Sequence, residues 1–281
     1  MKYLHLDSSF QPFQNSIAFE MFTFNGGEPH IRILEDLAAV NALTVTTRIK
    51  SFEDFGFLLL ANDALQNMGI SEIHLILPYF PGARQDRVAV KGEALTVKVF
   101  SQMVNTCGFA SVTILDPHSD VTCALLERVR VMTNESFVKS CLKGLEDYYL
   151  VSPDVGAVKK IVHLSKSLPC KDIIICNKKR DLKTGKLSGF EVFKDDLRGK
   201  CCVLVDDICD GGGTFIGLAK ELKRKGAGDL ILIVTHGIFS RGSSELREYF
   251  SKIYCTDAFS NIELEGITQM RLEDEVLGVG V

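Results

Sequence analysis

The sequence shows no basic excess, no CxxC pair, no low-complexity linker and no apolar run of membrane-spanning length. Thirty-two Lys and Arg against 36 Asp and Glu leave a net charge of −4, which argues against a general nucleic-acid binder, since such proteins carry a basic excess. A local basic patch remains open. The nine cysteines are odd in number and scattered, most of them in apolar runs where Cys acts as a small hydrophobe. Neither a disulfide framework nor a zinc site is expected of them, and they suit a reducing, cytoplasmic compartment. The longest apolar runs, 57–61 and 230–234, are too short to cross a bilayer, and the first residues, MKYLHLDSSF, lack the apolar stretch of a signal peptide. Neither a membrane nor a nucleic-acid partner is expected.

At 281 residues, 46% hydrophobic and 24% charged, the chain has ordinary globular composition and the length of about two domains. Short runs rich in branched residues recur at 73–77, 112–115, 148–151, 173–176, 201–205 and 230–234. They alternate little, as strands buried on both faces do. Helical patterns lie between them: 55–68 before Gly69, 93–107 before Gly108, and 214–225 before Gly226 with Lys and Arg in its last turns. This alternation predicts an α/β protein with parallel sheets. Residues 17–24 and 30–34, separated by Asn25-Gly26-Gly27-Glu28-Pro29, predict a hairpin. A strand at 130–132 followed by Thr133-Asn134-Glu135-Ser136, a capped helix start, sets a boundary between domains 1–134 and 135–281. Two strands pass straight into charged loops, at 78–87 and 206–214, and ligands of open α/β sheets bind at the carboxyl ends of strands.

The segment CCVLVDDICDGGGTFIGLAKEL reads as a buried strand, two carboxylates, a third at Asp210, three glycines, a Thr and an amphipathic helix. Gly211, Gly212 and Gly213 let backbone N–H groups close around a phosphate, the helix start adds the positive end of its dipole, and Thr214 adds a hydroxyl. Asp206 and Asp207 repel a phosphate but suit the hydroxyls of a vicinal diol, or a bridging Mg²⁺. Phosphate and diol together describe a ribose 5-phosphate. Three glycines alone would favour a plainer reading, a turn capping a helix. The full motif resembles the ribose-phosphate loop of type I phosphoribosyltransferases and of ribose-phosphate pyrophosphokinases, which usually carry Thr where this chain has Gly211.

Further segments separate the two families. PYFPGARQDR, at 78–87, resembles the PYFxYARQDR/K ATP-binding loop of ribose-phosphate pyrophosphokinases, although as residues alone it also fits a surface salt-bridge loop. Arg84 offers a planar fork for polyphosphate oxygens and Gln85 offers a donor and an acceptor to a base edge. Asp116-Pro117-His118 resembles the family's Asp-Leu-His, whose His stands beside ATP and Mg²⁺. By itself a His at a strand end also has a structural reading. Residues 152–160, SPDVGAVKK, resemble the family's SPDAGGAKR, in which Asp154 would hold Mg²⁺ and the sugar phosphate, its plainer reading being a carboxylate at a helix start. In Asn177-Lys178-Lys179-Arg180, Lys178 and Arg180 match the Lys-x-Arg at the root of a mobile catalytic loop, with 181–188 as a polar lid. Phe24-Asn25-Gly26-Gly27-Glu28 resembles the turn that reaches a neighbouring subunit's adenine, with Phe24 to stack and Glu28 to accept from a base amino group.

The resemblance runs in order from about Phe24 to Ala219. It implies an α/β fold of two type I phosphoribosyltransferase-like domains, each a mainly parallel sheet flanked by helices, the first carrying the ATP loop and the second the ribose-5-phosphate and catalytic loops. It implies transfer of the β,γ-diphosphoryl group of ATP to ribose 5-phosphate, giving phosphoribosyl pyrophosphate and AMP. The implied catalytic residues are Lys178 and Arg180. ATP falls to Phe24, Glu28, Arg84, Gln85 and His118, the ribose 5-phosphate to Asp206, Asp207 and Asp210 through Thr214, and Mg²⁺ to His118 and Asp154. A homo-oligomer, dimer or hexamer, is expected. The alternatives are a phosphoribosyltransferase consuming phosphoribosyl pyrophosphate and a non-catalytic regulatory paralogue.

Overall fold

In the computed structural model, which describes residues 1–169, 172–180 and 187–272, the branched runs become strands hydrogen-bonded mostly to parallel neighbours. The chain groups into two compact units, residues 1–133 with Leu272, and residues 134–271.

Unit 1 runs through β1 (Lys2–His5), β2 (Phe19–Thr23), β3 (Pro29–Ile33), β4 (Ala42–Thr46), α1 (Phe52–Asn67), β5 (Glu72–Ile76), α2 (Thr96–Thr106), β6 (Ser111–Leu115), α3 (Asp120–Leu125) and β7 (Val129–Met132). Among the described residues its main sheet has the order β1-β4-β5-β6-β7, and every pairing in it is parallel. β2 and β3 pair antiparallel as a separate ribbon, the hairpin expected at Asn25. α1 starts earlier than its apolar pattern because a capping box precedes it: Ser51 Oγ accepts from the Asp54 N–H at 3.1 Å and the Asp54 carboxylate accepts from the Ser51 N–H at 2.7 Å. α2 starts later than expected, at Thr96, because the Glu93 carboxylate folds back onto the N–H groups of Ala89 and Val90. Leu4, Val45, Leu75 and Ile114 of the sheet pack with Phe55, Leu58 and Val104 of the helices to form the core.

Unit 2 runs through α4 (Glu135–Cys141), β8 (Tyr148–Ser152), α5 (Val158–Ser165), β9 (Ile173–Arg180), β10 (Leu187–Val192), β11 (Cys201–Cys209), α6 (Gly213–Arg224), β12 (Leu230–Gly237), α7 (Ser244–Arg247), β13 (Lys252–Thr256) and β14 (Ile267–Met270). Among the described residues the sheet order is β10-β9-β8-β11-β12-β13-β14, parallel except for the β9–β10 pair. Successive strand residues face opposite sides. Val203 and Val205 of β11 join Phe137 of α4 and Ile161 and Leu164 of α5, while Cys202 and Leu204 join Phe215, Leu218 and Leu222 of α6. Burial on both sides explains the lack of alternation, and each large apolar side chain so buried contributes roughly 1.5–3 kcal/mol. Asn134 does not cap α4 as expected; its side-chain amide instead donates to Thr235 Oγ1 at 3.2 Å. No helix among the described residues is long and apolar enough to cross a membrane.

Candidate functional site

The central strand of unit 2 delivers the carboxylates. β11 pairs with β8 only as far as Leu204, opposite Val151, but with β12 as far as Cys209, opposite Gly237. Asp206 and Asp207 therefore lie on a strand extension paired on one side, not in the loop expected to follow Val205. Asp207 is buried and Asp206 half-buried, and the Asp206 carboxylate accepts the Asp207 N–H at 3.0 Å.

The strand ends at Cys209, and α6 begins four residues later, at Gly213. Gly212 stands at φ +74°, a left-handed conformation that favours glycine, and a Cβ there would also meet the Leu246 side chain at 3.2 Å. The N–H groups of Gly211, Gly213 and Thr214 have no acceptor among the described residues, and they sit at the positive end of a twelve-residue helix. This is the geometry of an anion cradle. The loop after β12 braces it. Ile238 and Phe239 both donate backbone N–H groups to the Cys209 carbonyl, at 2.8 and 3.1 Å, and Ser240 Oγ donates to Asp210 Oδ1 at 2.6 Å. Burial, followed by the nearby Asp206 and Asp210 charges, pushes the Cys209 thiol up to about 12, so it stays neutral.

Two more segments of unit 2 were singled out in the sequence. Asp154 follows β8 in a turn ahead of α5, where its Oδ1 accepts the Ala157 N–H at 3.0 Å and its carbonyl accepts from Ser152 Oγ at 2.8 Å. Lys178 and Arg180 lie on β9 itself, which runs past the expected end at Cys176 because β10 pairs with it; Lys178 stands opposite Phe190 and Arg180 opposite Leu187. Their side chains, and residues 181–186 of the expected lid, lie outside the described part of the chain, while Leu187 and Ser188 belong to β10 rather than to a lid.

In unit 1, β5 leads into the loop that carries Arg84 and Gln85. Phe80 and Ala83 anchor this loop, each 2% exposed, while Arg84 and Gln85 project outward. The Gln85 N–H donates to the Gly82 carbonyl at 2.9 Å, fixing the turn. His118 is exposed after β6, the strand paired to β5, and follows Asp116, whose φ of +41° turns the chain sharply. Arg84, Gln85 and His118 thus stand beyond the carboxyl ends of two adjacent strands. Phe24 and Glu28 close the β2–β3 turn by a Phe24 N–H to Glu28 carbonyl bond of 2.8 Å. Phe24 is half exposed, with Phe22 edge-on at 4.9 Å and His30 tilted at 5.7 Å. The Glu28 carboxylate folds over Gly26, 2.9 Å from where a Cβ would stand. The two residues expected to share Mg²⁺, His118 and Asp154, belong to different units, and among the described residues no three His, Cys, Asp or Glu side chains gather as a metal site.

The chain matches a model of the N-terminal domain of ribose phosphate pyrophosphokinase over residues 14–108 and one of the phosphoribosyl transferase domain over residues 129–268. It is 31% identical over 234 residues to a ribose-phosphate pyrophosphokinase of Hyphomonas neptunium, covering 80% of this chain and 73% of that one. The chain belongs to the ribose-phosphate pyrophosphokinase family. Another member, from Agrobacterium fabrum, is 35% identical over 204 residues, 68% of this chain and 64% of that one. The chain thus spans just under two thirds of the length of some curated relatives. Its fold is that of phosphoribosylpyrophosphate synthetase from Mycobacterium smegmatis, with a TM-score of 0.81 at 24% identity over 94% of this chain and 89% of that one. The family reaction is diphosphoryl transfer from ATP to ribose 5-phosphate. Ser240 was missed in the sequence, although its signal was present: it follows the strand next to β11, where any loop at the carboxyl edge is a candidate.

Proposed function

We propose that this chain joins the C1 hydroxyl of ribose 5-phosphate to the β-phosphorus of ATP. The new bond runs from O1 to Pβ, the bridge between Pα and Pβ breaks, AMP leaves, and the hydroxyl proton passes to solvent or to a basic oxygen. Residues 210–214 hold the 5-phosphate and Asp206 and Asp207 hold the ribose hydroxyls. Arg84, Gln85 and His118 hold ATP, with Phe24 stacking on a base and Glu28 accepting from it. Lys178 and Arg180 place positive charge on the migrating group, since such transfers rest on positioning and charge stabilisation. We assign unit 1 to ATP and unit 2 to the sugar phosphate.

The observation that carries this reading is the Gly212 cradle at the start of α6, with unclaimed N–H groups directly beyond Asp206 and Asp207. Mg²⁺ takes few protein ligands and keeps waters and phosphate oxygens, and the Asp154 carboxylate and His118 would be its protein donors. It supplies neutralisation of phosphate charge when bound. The eight described cysteines are free thiols, which supports a reducing cytoplasmic setting. The exposed Phe24 ring at the hairpin turn supports a homo-oligomer, dimer or hexamer, in which that turn meets a neighbour. The test is to incubate the protein with ATP, ribose 5-phosphate and Mg²⁺ without nucleobase. AMP and phosphoribosyl pyrophosphate are expected. A nucleotide formed only from phosphoribosyl pyrophosphate and a base would show a phosphoribosyltransferase instead.

A further inference from the structure

Relatives with Thr after the third Asp have a hydroxyl that Gly211 lacks. In this chain the Arg241 side chain lies beside Gly211. A Cβ on Gly211 would stand 3.4 Å from both Cδ and Nε of Arg241, and 3.7 Å from its Cγ. The Arg241 side chain therefore lies along the glycine loop, in ordinary contact range of position 211. The guanidinium has no hydrogen bond or ion pair among the described residues, and the side chain is exposed. Its position is set by its neighbours. Ile238 and Phe239 hang on the Cys209 carbonyl, Ser240 is bonded to Asp210, and the Gly242 N–H closes the turn onto the Phe239 carbonyl at 2.8 Å. A cation with no partner among the described residues is thus held against a backbone cradle whose Gly211, Gly213 and Thr214 N–H groups have no acceptor among them.

We infer that Arg241 binds the 5-phosphate of the sugar substrate, taking over from the hydroxyl absent at Gly211. The inference rests on the reading of residues 210–214 as the ribose-5-phosphate loop. A guanidinium matches phosphate oxygens in a way no single hydroxyl does, through two parallel N–H donors. It also adds a charge at a site where three carboxylates, Asp206, Asp207 and Asp210, otherwise raise the negative potential. The exchange makes the sugar-phosphate affinity more dependent on salt than a hydroxyl contact would.

The test compares wild type, Arg241→Gln, and the double variant Gly211→Thr with Arg241→Gly, by direct titration of ribose 5-phosphate and by steady-state kinetics. Thermal melting checks folding; Arg241 is exposed and has no described partner, so no change is expected. Arg241→Gln should weaken ribose 5-phosphate binding by about tenfold to a hundredfold, the range of a hydrogen bond to a charged group, with the KM for ATP unchanged and a shallower salt dependence. The double variant should recover part of that loss. Equal affinity and equal salt dependence in wild type and Arg241→Gln would overturn the inference while leaving the loop assignment standing. Failure of the wild type to bind ribose 5-phosphate at all would overturn the loop assignment and the inference with it.

Discussion

Ser240 Oγ donates to the Asp210 carboxylate at 2.6 Å, tying the loop after β12 to the first residue of the phosphate cradle. The bond joins two loops at the carboxyl edge of adjacent parallel strands. Ser240→Ala is expected to raise the KM for ribose 5-phosphate by up to about tenfold, the worth of one charge-assisted bond near the surface, with little change in kcat. Initial rates at varied sugar phosphate check this; a fall in kcat at unchanged KM would assign Ser240 a different part.

Gly217 on α6 faces Phe190 of β10, and a Cβ there would stand 1.9 Å from the ring. Phe190 is also the backbone partner of Lys178. Gly217→Ala should therefore do two things. Overpacking should cost about 1–3 kcal/mol of stability, read by denaturant melting. Displacement of β10 should also lower kcat, because the strand that carries Lys178 loses its register partner. A variant of normal stability and normal kcat would show that Phe190 yields without moving the strand.

In unit 1, Arg48 is almost wholly buried and its Nε donates to the Asp7 carboxylate at 2.7 Å. Burial alone would raise the Asp7 pKa, but the hydrogen bonds from Arg48 and Ser9 outweigh it and hold the group below its usual value. A depressed carboxyl stabilises the fold above its unfolded pKa, near 4, and that contribution disappears as pH falls through the lower folded value. Asp7→Asn should cost up to about 3 kcal/mol at neutral pH, the lower end for a broken buried pair, because Asp7 keeps some water contact. The difference between wild type and variant should shrink steadily below pH 4 in urea melts. A difference independent of pH would remove the ion pair from the explanation.

Lys178→Ala should reduce kcat by about 10³-fold, the lower end for a cation supplied to a phosphoryl-transfer transition state, while ribose 5-phosphate still binds. Rapid-quench turnover and equilibrium titration separate the two. Equal losses in both would make Lys178 a binding residue.

Much of this was legible in the sequence because buried parallel strands and glycine loops leave strong local signals. Val203 and Leu204 announce a strand covered on both faces, and Gly211 to Thr214 announce a helix start open to an anion. The extents of β9 and β11 were not legible, because each is lengthened by a partner strand, β10 and β12, whose reach no local pattern encodes. Asp206 and Asp207 thus read locally as loop residues, and it is β12 continuing beside them that makes them strand. Arg241 escaped for the same reason. It lies thirty residues from Gly211, and only the parallel register of β11 and β12 brings the two together.

The central claim is that both outer phosphoryl groups of ATP move together. ATP labelled at the β-phosphorus, incubated with ribose 5-phosphate and Mg²⁺, tests it most directly. The account predicts the label in phosphoribosyl pyrophosphate and unlabelled AMP. Label retained in ADP, with a single phosphoryl group on the sugar, would contradict it.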